Sequence, residues 1–133
     1  MKPQAASRLH CYTKSEIPLI WDWARPLICL ALDRGSNQTI DQVYEKLCNG
    51  HAQMWAWSDK ACLVTEIHDD GDERFCLLLA IGGSAMNDWK YCYPVVAEWA
   101  KGCGAKEMQI YGRVGWARAF DFDIEYAKMV RPL

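Results

Sequence analysis

Two spacings of apolar residues divide this chain into elements. Between Lys14 and Gly35, Ile17, Ile20, Trp21, Ala24, Leu27, Ile28 and Ala31 recur every three or four positions. That spacing predicts an amphipathic helix. Ser15 suits its N-cap, and Pro18 falls in the first turn, where a missing N–H costs nothing. Pro26 falls in the interior, where proline removes a ladder bond and crowds the preceding turn, so a kink or two shorter helices is expected. Thr39-Ile40-Asp41-Gln42 has the capping-box pattern. It opens a second helix with Ile40, Val43 and Leu47 on one face, and Asn49-Gly50 supplies a left-handed stop.

After Gly50 the period changes to two. Residues His51–Trp57 and Ala61–His68 read as strands joined at Ser58-Asp59-Lys60. Asp69-Asp70-Gly71-Asp72 is a turn signal, and Arg74–Ile81 forms the third strand of an antiparallel meander. Phe75–Ile81 is continuously apolar, as in a central strand covered on both faces. From Ser84 or Ala85 to Lys101 a long helix is expected, with Trp89, Cys92, Tyr93, Val96, Trp99 and Ala100 as its inner stripe and Pro94 as a bend. Gly102 and Gly104 end it. Met108–Tyr111 is a short strand that a right-handed crossover sets parallel to the Arg74–Ile81 strand. Gly115–Phe120 reads as a short helix and Ile124–Val130 as a last alternating strand. Arg8–Tyr12 supplies a short first strand. The order predicts an α/β chain, β1-α1-α2-β2-β3-β4-α3-β5-α4-β6, with an antiparallel meander followed by a parallel β4/β5 pair.

Composition narrows the picture further. At 133 residues, 1–133 is expected to form one domain with a core large enough to need no disulfide or metal staple. The net charge is −2 and no basic block occurs, which argues against a dedicated nucleic-acid binder. The start Met-Lys-Pro-Gln is polar and no segment approaches a membrane span, so no signal peptide and no membrane association are expected. The seven cysteines are widely spaced, odd in number and free of any C-x-x-C, so they read as free thiols in a reducing compartment. Seven Trp is high for this length. An aromatic core accounts for them, and so does a surface that meets a partner.

The order of elements resembles that of the GCN5-related N-acetyltransferases (GNAT) over nearly the whole chain. One local run supports it: Gly115-Trp116-Ala117-Arg118-Ala119-Phe120-Asp121-Phe122 is similar to the family's late helix and Gly-Phe pair, with Phe122 at the Phe position and Asp121 where glycine is usual. The chain also resembles small GNAT-like proteins of tailed bacteriophages. That likeness rests on Trp23-Ala24-Arg25-Pro26, His51–Trp55, Val64–Ile67 and Ile110–Arg118. It implies a virion or assembly component in a bacterial host cytoplasm or incorporated into the virion. Fold by itself does not give function.

The resemblance also implies where a site would lie. In the family, a Gln/Arg-x-x-Gly-x-Gly/Ala loop after the central strand holds the pyrophosphate of acetyl-CoA on backbone N–H groups. Here the same place reads Gly82-Gly83-Ser84-Ala85-Met86-Asn87-Asp88. Gly82, Gly83 and Ser84 are the candidate cofactor-binding residues. The basic lead residue and the second spaced glycine are absent, and Asp88 suits an empty helix start better than a bound anion. The family's late-helix tyrosine falls on Ala117. Glu66 and Glu73 are the candidate general bases, and each is also an ordinary outward-facing strand carboxylate. His10, His51 and His68 lie on separate strands with no ligand spacing, so no metal site is expected. Arg113, Trp116 and Arg118 are candidate partner-binding residues, or simply part of a solvated charged face.

Two functions of different class follow. One is a non-catalytic GNAT-like domain that binds protein partners, among them phage structural proteins or a second copy of itself, with no cofactor. The other is an acetyl-CoA-dependent N-acetyltransferase with a degenerate loop. An inhibitor of a host protein is a third.

Overall fold

The computed structural model describes residues 9–32, 38–57, 61–71, 73–83, 86–111, 123–125 and 128–133. Among these residues, seven strands and three helices follow one another as β1 (Leu9–Tyr12), α1 (Ile17–Leu32), α2 (Ile40–Asn49), β2 (Ala52–Trp57), β3 (Ala61–Asp70), β4 (Glu73–Gly83), α3 (Met86–Gly102), β5 (Glu107–Tyr111), β6 (Asp123–Glu125) and β7 (Lys128–Pro132). All strands join one sheet in the order β1-β2-β3-β4-β5-β7-β6. The β4/β5 pair is parallel and every other pair antiparallel. The expected meander, parallel pair and crossover helix are therefore present.

Three expectations change. Helix α1 is one element through Pro26, not two. Pro26 and Asp22, one turn earlier, are both exposed, so the carbonyl that loses its donor faces water. Ser15 does not begin the helix. Its hydroxyl lies 3.2 Å from that of Thr13, while the Glu16 carboxylate accepts from the Thr13 N–H at 2.8 Å and from its hydroxyl at 3.0 Å. The last expected strand is two strands, β6 and β7, paired antiparallel with Ile124 opposite Met129. The expected helix Gly115–Phe120 lies outside the described residues.

Helix α2 is as its sequence specifies. Thr39 accepts from the Gln42 N–H at 3.2 Å and Gln42 accepts from the Thr39 N–H at 2.9 Å, which completes the capping box. Gly50 closes the helix at φ 85°, a conformation that costs glycine little.

The sheet separates two cores. On one face α3 lays Cys92, Tyr93, Val96 and Ala100 against Leu63, Cys76, Leu78, Ile81, Met108 and Ile110. On the other, α1 and α2 bury Ile17, Ala24, Ile28, Val43 and Leu47 against Met54, Ala56, Cys62, Val64 and Ala80. Each fully buried aliphatic side chain contributes about 1.5–3 kcal/mol relative to exposure. Strand β4 is apolar from Phe75 to Ile81 because it feeds both cores. None of the seven cysteines forms a disulfide. Among the described residues no helix is long and apolar enough to cross a membrane.

Candidate functional site

The centre of interest is where β4 and β5 part. Their parallel ladder runs from Phe75 opposite Glu107 to Leu78 opposite Ile110. Beyond it, β5 continues to Tyr111, which pairs with Lys128 on β7, and β4 continues to Gly83 on β3 alone. Among the described residues, Leu79–Gly83 therefore have no ladder partner on the β5 side. Strand β4 also carries a bulge at this point. Thr65 faces Leu78 and Val64 faces Ala80, which leaves Leu79 as the extra residue. Leu79 and Ala80 consequently pack on the same face, whereas Leu78 and Ile81 pack on the other. A bulge leaves its extra residue out of the ladder and bends the strand, and such features often stand beside sites.

Gly82 and Gly83 are the last two residues of β4, where the sequence suggests a loop. Cys62 and Ala61 on β3 give them ladder partners, which extends the strand to the edge of α3. Successive strand residues turn their backbone groups to opposite neighbours. One glycine thus points its N–H at β3 and the other at the side that β5 has left. Helix α3 begins three residues later at Met86, with the unpaired N–H groups and positive dipole end of any helix start. Ser84 lies outside the described residues, as do Arg113, Trp116, Ala117 and Arg118.

The two candidate carboxylates occupy different settings. Glu73 is exposed at the opposite end of β4, facing Asp70, and ten residues of strand, about 33 Å, separate it from Gly83. Glu66 is buried on β3 under α2, with 6% of its side chain exposed. Its Oε2 accepts from Lys46 Nζ at 2.8 Å and its Oε1 accepts from Gln38 Nε2 at 3.4 Å. Lys46 Nζ also donates to Gln38 Oε1 at 2.8 Å. His68 Nε2 stands 3.7 Å from Glu66 Oε1, is buried and has no hydrogen bond, and the ring stacks on Phe75. Sequence reasoning singled out Glu66 but missed Lys46, Gln38 and His68 as its neighbours. The capping box was the available signal, because it fixes the face on which Lys46 falls. Glu66 lies in the row Ala52–Glu66–Leu77–Gln109, next to the last row that β4 and β5 share.

Other polar groups here are structural. On the α3 face, the buried Thr65 hydroxyl accepts from Trp55 Nε1 at 3.1 Å and donates to Gln53 Oε1 at 3.0 Å. Burial, with the nearby Cys103 as a smaller cause, pushes the Cys76 thiol up to about 12, so it is not a ready nucleophile. Among the described residues no group of three or more His, Cys, Asp or Glu is placed to hold a metal ion.

Solved structures with the same arrangement settle what this fold is. A GNAT family acetyltransferase from Brucella melitensis, crystallised with acetyl-CoA, superposes with a TM-score of 0.61 at 12% identity, over 94% of this chain and 88% of that one. The chain has a GNAT-like fold. A paia N-acetyltransferase from Thermoplasma acidophilum, in complex with coenzyme A, superposes with a TM-score of 0.56 at 12% identity, over 92% and 96% of the two chains. A protein from Thermus thermophilus does so at 0.55, again at 12% identity, over 86% and 82%. No protein-family model matches the chain, and no curated protein matches it. The likeness is of fold, and the GNAT-like fold is what the sequence resemblance led one to expect.

At the split of this GNAT-like chain the end of β4 and the start of α3 offer backbone N–H groups. No Lys or Arg occurs between Phe75 and Trp89 to add a side-chain cation, and Asp88 adds a negative charge.

Proposed function

We propose that the chain binds an acyl-coenzyme A thioester in the split between β4 and β5 and is an N-acyltransferase of that class. One observation carries the reading. Strand β4 bulges at Leu79 and runs five residues past its last β5 partner, and α3 begins at Met86, three residues after Gly83. That geometry exposes strand N–H groups beside a helix terminus suited to anions. Two GNAT-like neighbours hold acetyl-CoA or coenzyme A. When bound, the thioester supplies an activated acyl carbon. The chain's own contribution is to donate from the N–H groups at the split and to move a proton at Glu66. The Lys46 ammonium fixes the orientation of that carboxylate.

The test is isothermal titration with acetyl-CoA. Saturable heat at micromolar ligand, lost in Gly83→Asp, is the expected result. No heat at millimolar ligand sinks the reading.

A second reading draws on the same carboxylates. Glu66 is already committed to Lys46, and Glu73 is remote from Gly83. A non-catalytic domain that binds protein partners uses neither. The sequence resemblance puts such a domain among tailed-phage virion or assembly components. Its presence in purified virions, together with failure to bind acetyl-CoA, is the outcome that would select it.

A further inference from the structure

We propose that the outward face of α1 is a contact between two copies of this chain, packed antiparallel about a two-fold axis that sets each Asp22 against Arg25 of the partner subunit. The inference stands apart from the ligand reading. It starts from what the helix leaves outside. Ile17, Ala24 and Ile28 are buried between α1 and the sheet. At about 100° per residue the opposite side of the helix carries Pro18, Leu19, Asp22, Arg25, Pro26 and Cys29. The first five are exposed, and Leu19 keeps 82% of its surface in water. An outward face usually looks like that of α2, where Asp41, Gln42, Glu45 and Asn49 are exposed and all are polar. Helix α1 presents a leucine and two prolines instead, and Asp22 and Arg25 are its only charges. Trp21, with its ring centre 4.6 Å from that of Tyr44, borders the strip on one side. Trp23, edge-on to Tyr12 at 6.1 Å, borders it on the other. Both indoles are half-buried, so each still offers surface. Aliphatic side chains between tryptophans, with an arginine among them, make the composition that association favours.

The charges choose the occupant. Neither Asp22 nor Arg25 has an ion-pair partner among the described residues. The two are each other's complement in one arrangement only. A two-fold axis parallel to the helices would bring Asp22 to Asp22 and Arg25 to Arg25, like against like. A two-fold perpendicular to them, midway between residues 22 and 25, brings Asp22 to Arg25 of the partner subunit twice over. The same axis also matches the apolar groups. Along the helix Leu19 lies about 7 Å from it, while Pro26 and Cys29 lie about 4 Å and 8 Å away on the other side. The rotation therefore drops each Leu19 between the partner's Pro26 and the partner's Cys29, a ridge into a groove. Antiparallel helices also set each positive N-terminal end beside a negative C-terminal one.

Size sets the strength. Helix α1 has 16 residues and is about 24 Å long. A strip of that length and about 10 Å wide, with its tryptophan margins, covers less than the roughly 800 Å² per partner of a standard interface. The dimer is accordingly weak and reversible, with a dissociation constant of about 10–100 µM, so concentration sets its population.

Sedimentation velocity on the whole chain, from about 1 µM to 500 µM, reads the association. The native chain should pass from monomer to dimer across that range and stop at two copies. Asp22→Arg and Arg25→Asp each bring like charges together, and each alone should raise the dissociation constant about 10-fold or more. Mixed in equal amounts, the two variants should associate about as tightly as the native chain, because each then meets its opposite. Leu19→Ser should weaken the dimer without lowering the melting temperature of the dilute monomer, since that side chain is almost wholly in water. A native chain that stays monomeric throughout overturns the proposal and leaves the face to a partner of different make-up. Dimers that survive both single reversals place the contact elsewhere and overturn it as well. Failure of the mixed variants to associate does the same.

Discussion

Removing the ammonium at position 46 leaves the Glu66 carboxylate buried with only a long hydrogen bond from Gln38. Breaking such a pair from one side costs about 3 kcal/mol, near the low end for buried pairs because Lys46 keeps part of its side chain in water. Lys46→Met should lower the free energy of unfolding by that amount in a urea titration, and Lys46→Arg by much less. A second residue-scale prediction concerns alkaline pH. The Cys76 thiol, ordinarily at 9.0, is raised to about 12 in the folded chain. The unfolded chain then ionises first, so this contribution is complete below pH 9.0 and is lost as pH rises from there toward about 12. Denaturation at a series of alkaline pH values should show that decline, and Cys76→Ala should reduce it, leaving the part due to Cys11, which is raised to about 11, while lowering stability at neutral pH through lost volume. At this scale the sequence was legible by type and not by partner. A carboxylate at Glu66 invites a role, yet its lysine stands 20 residues away on another element. Only the packing of α2 on the sheet brings them together.

Local chemistry was legible where the determinants are local. The capping box and Asn49-Gly50 delimited α2 correctly, since both act within a few residues. Thr39→Ala removes one half of the box and should cost about 1 kcal/mol, measurable as a lower melting temperature. It should also loosen Lys46 from Glu66, which hydrogen exchange at α2 amides would reveal. Pro26 does not split α1 because the carbonyl it strands lies on an exposed turn, and exposure of that turn is a tertiary fact. The β6–β7 hairpin was missed for a different reason. The residues between its strands are Tyr126-Ala127, with no Gly, Pro, Asn or Asp to mark a turn, so alternation appeared continuous.

For the whole molecule, the succession of periods was enough to recover the sheet order from β2 to β5, with its parallel pair. Element order and crossover handedness leave few topologies. What order could not disclose is that β4 and β5 share only the rows from Phe75 to Leu78, because the end of a ladder depends on where two strands diverge in space. The central strands β3 and β4 carry the longest ladder and contribute to both cores. Their amides from Leu63 to Val64 and Cys76 to Leu78 should exchange slowest, at the global unfolding limit. Those of β1, a four-residue strand at the edge of the sheet, should exchange by local opening. Equal protection in β1 and β4 would contradict that gradient.

Leu79 has one more implication. Taking it out would set Leu78 and Ala80 against Thr65 and Val64 as consecutive pairs, with Leu78, Ala80 and Ile81 all still on their present faces. The extra residue is thus redundant for parity: a strand one residue shorter would take one half-buried leucine from the α1/α2 core and move no other side chain to the opposite face. A chain lacking Leu79 should fold and melt cooperatively, with a straightened β4 and no acetyl-CoA affinity. The protein retains a residue that the alternation of faces does not require, at the point where the strand turns away from its neighbour.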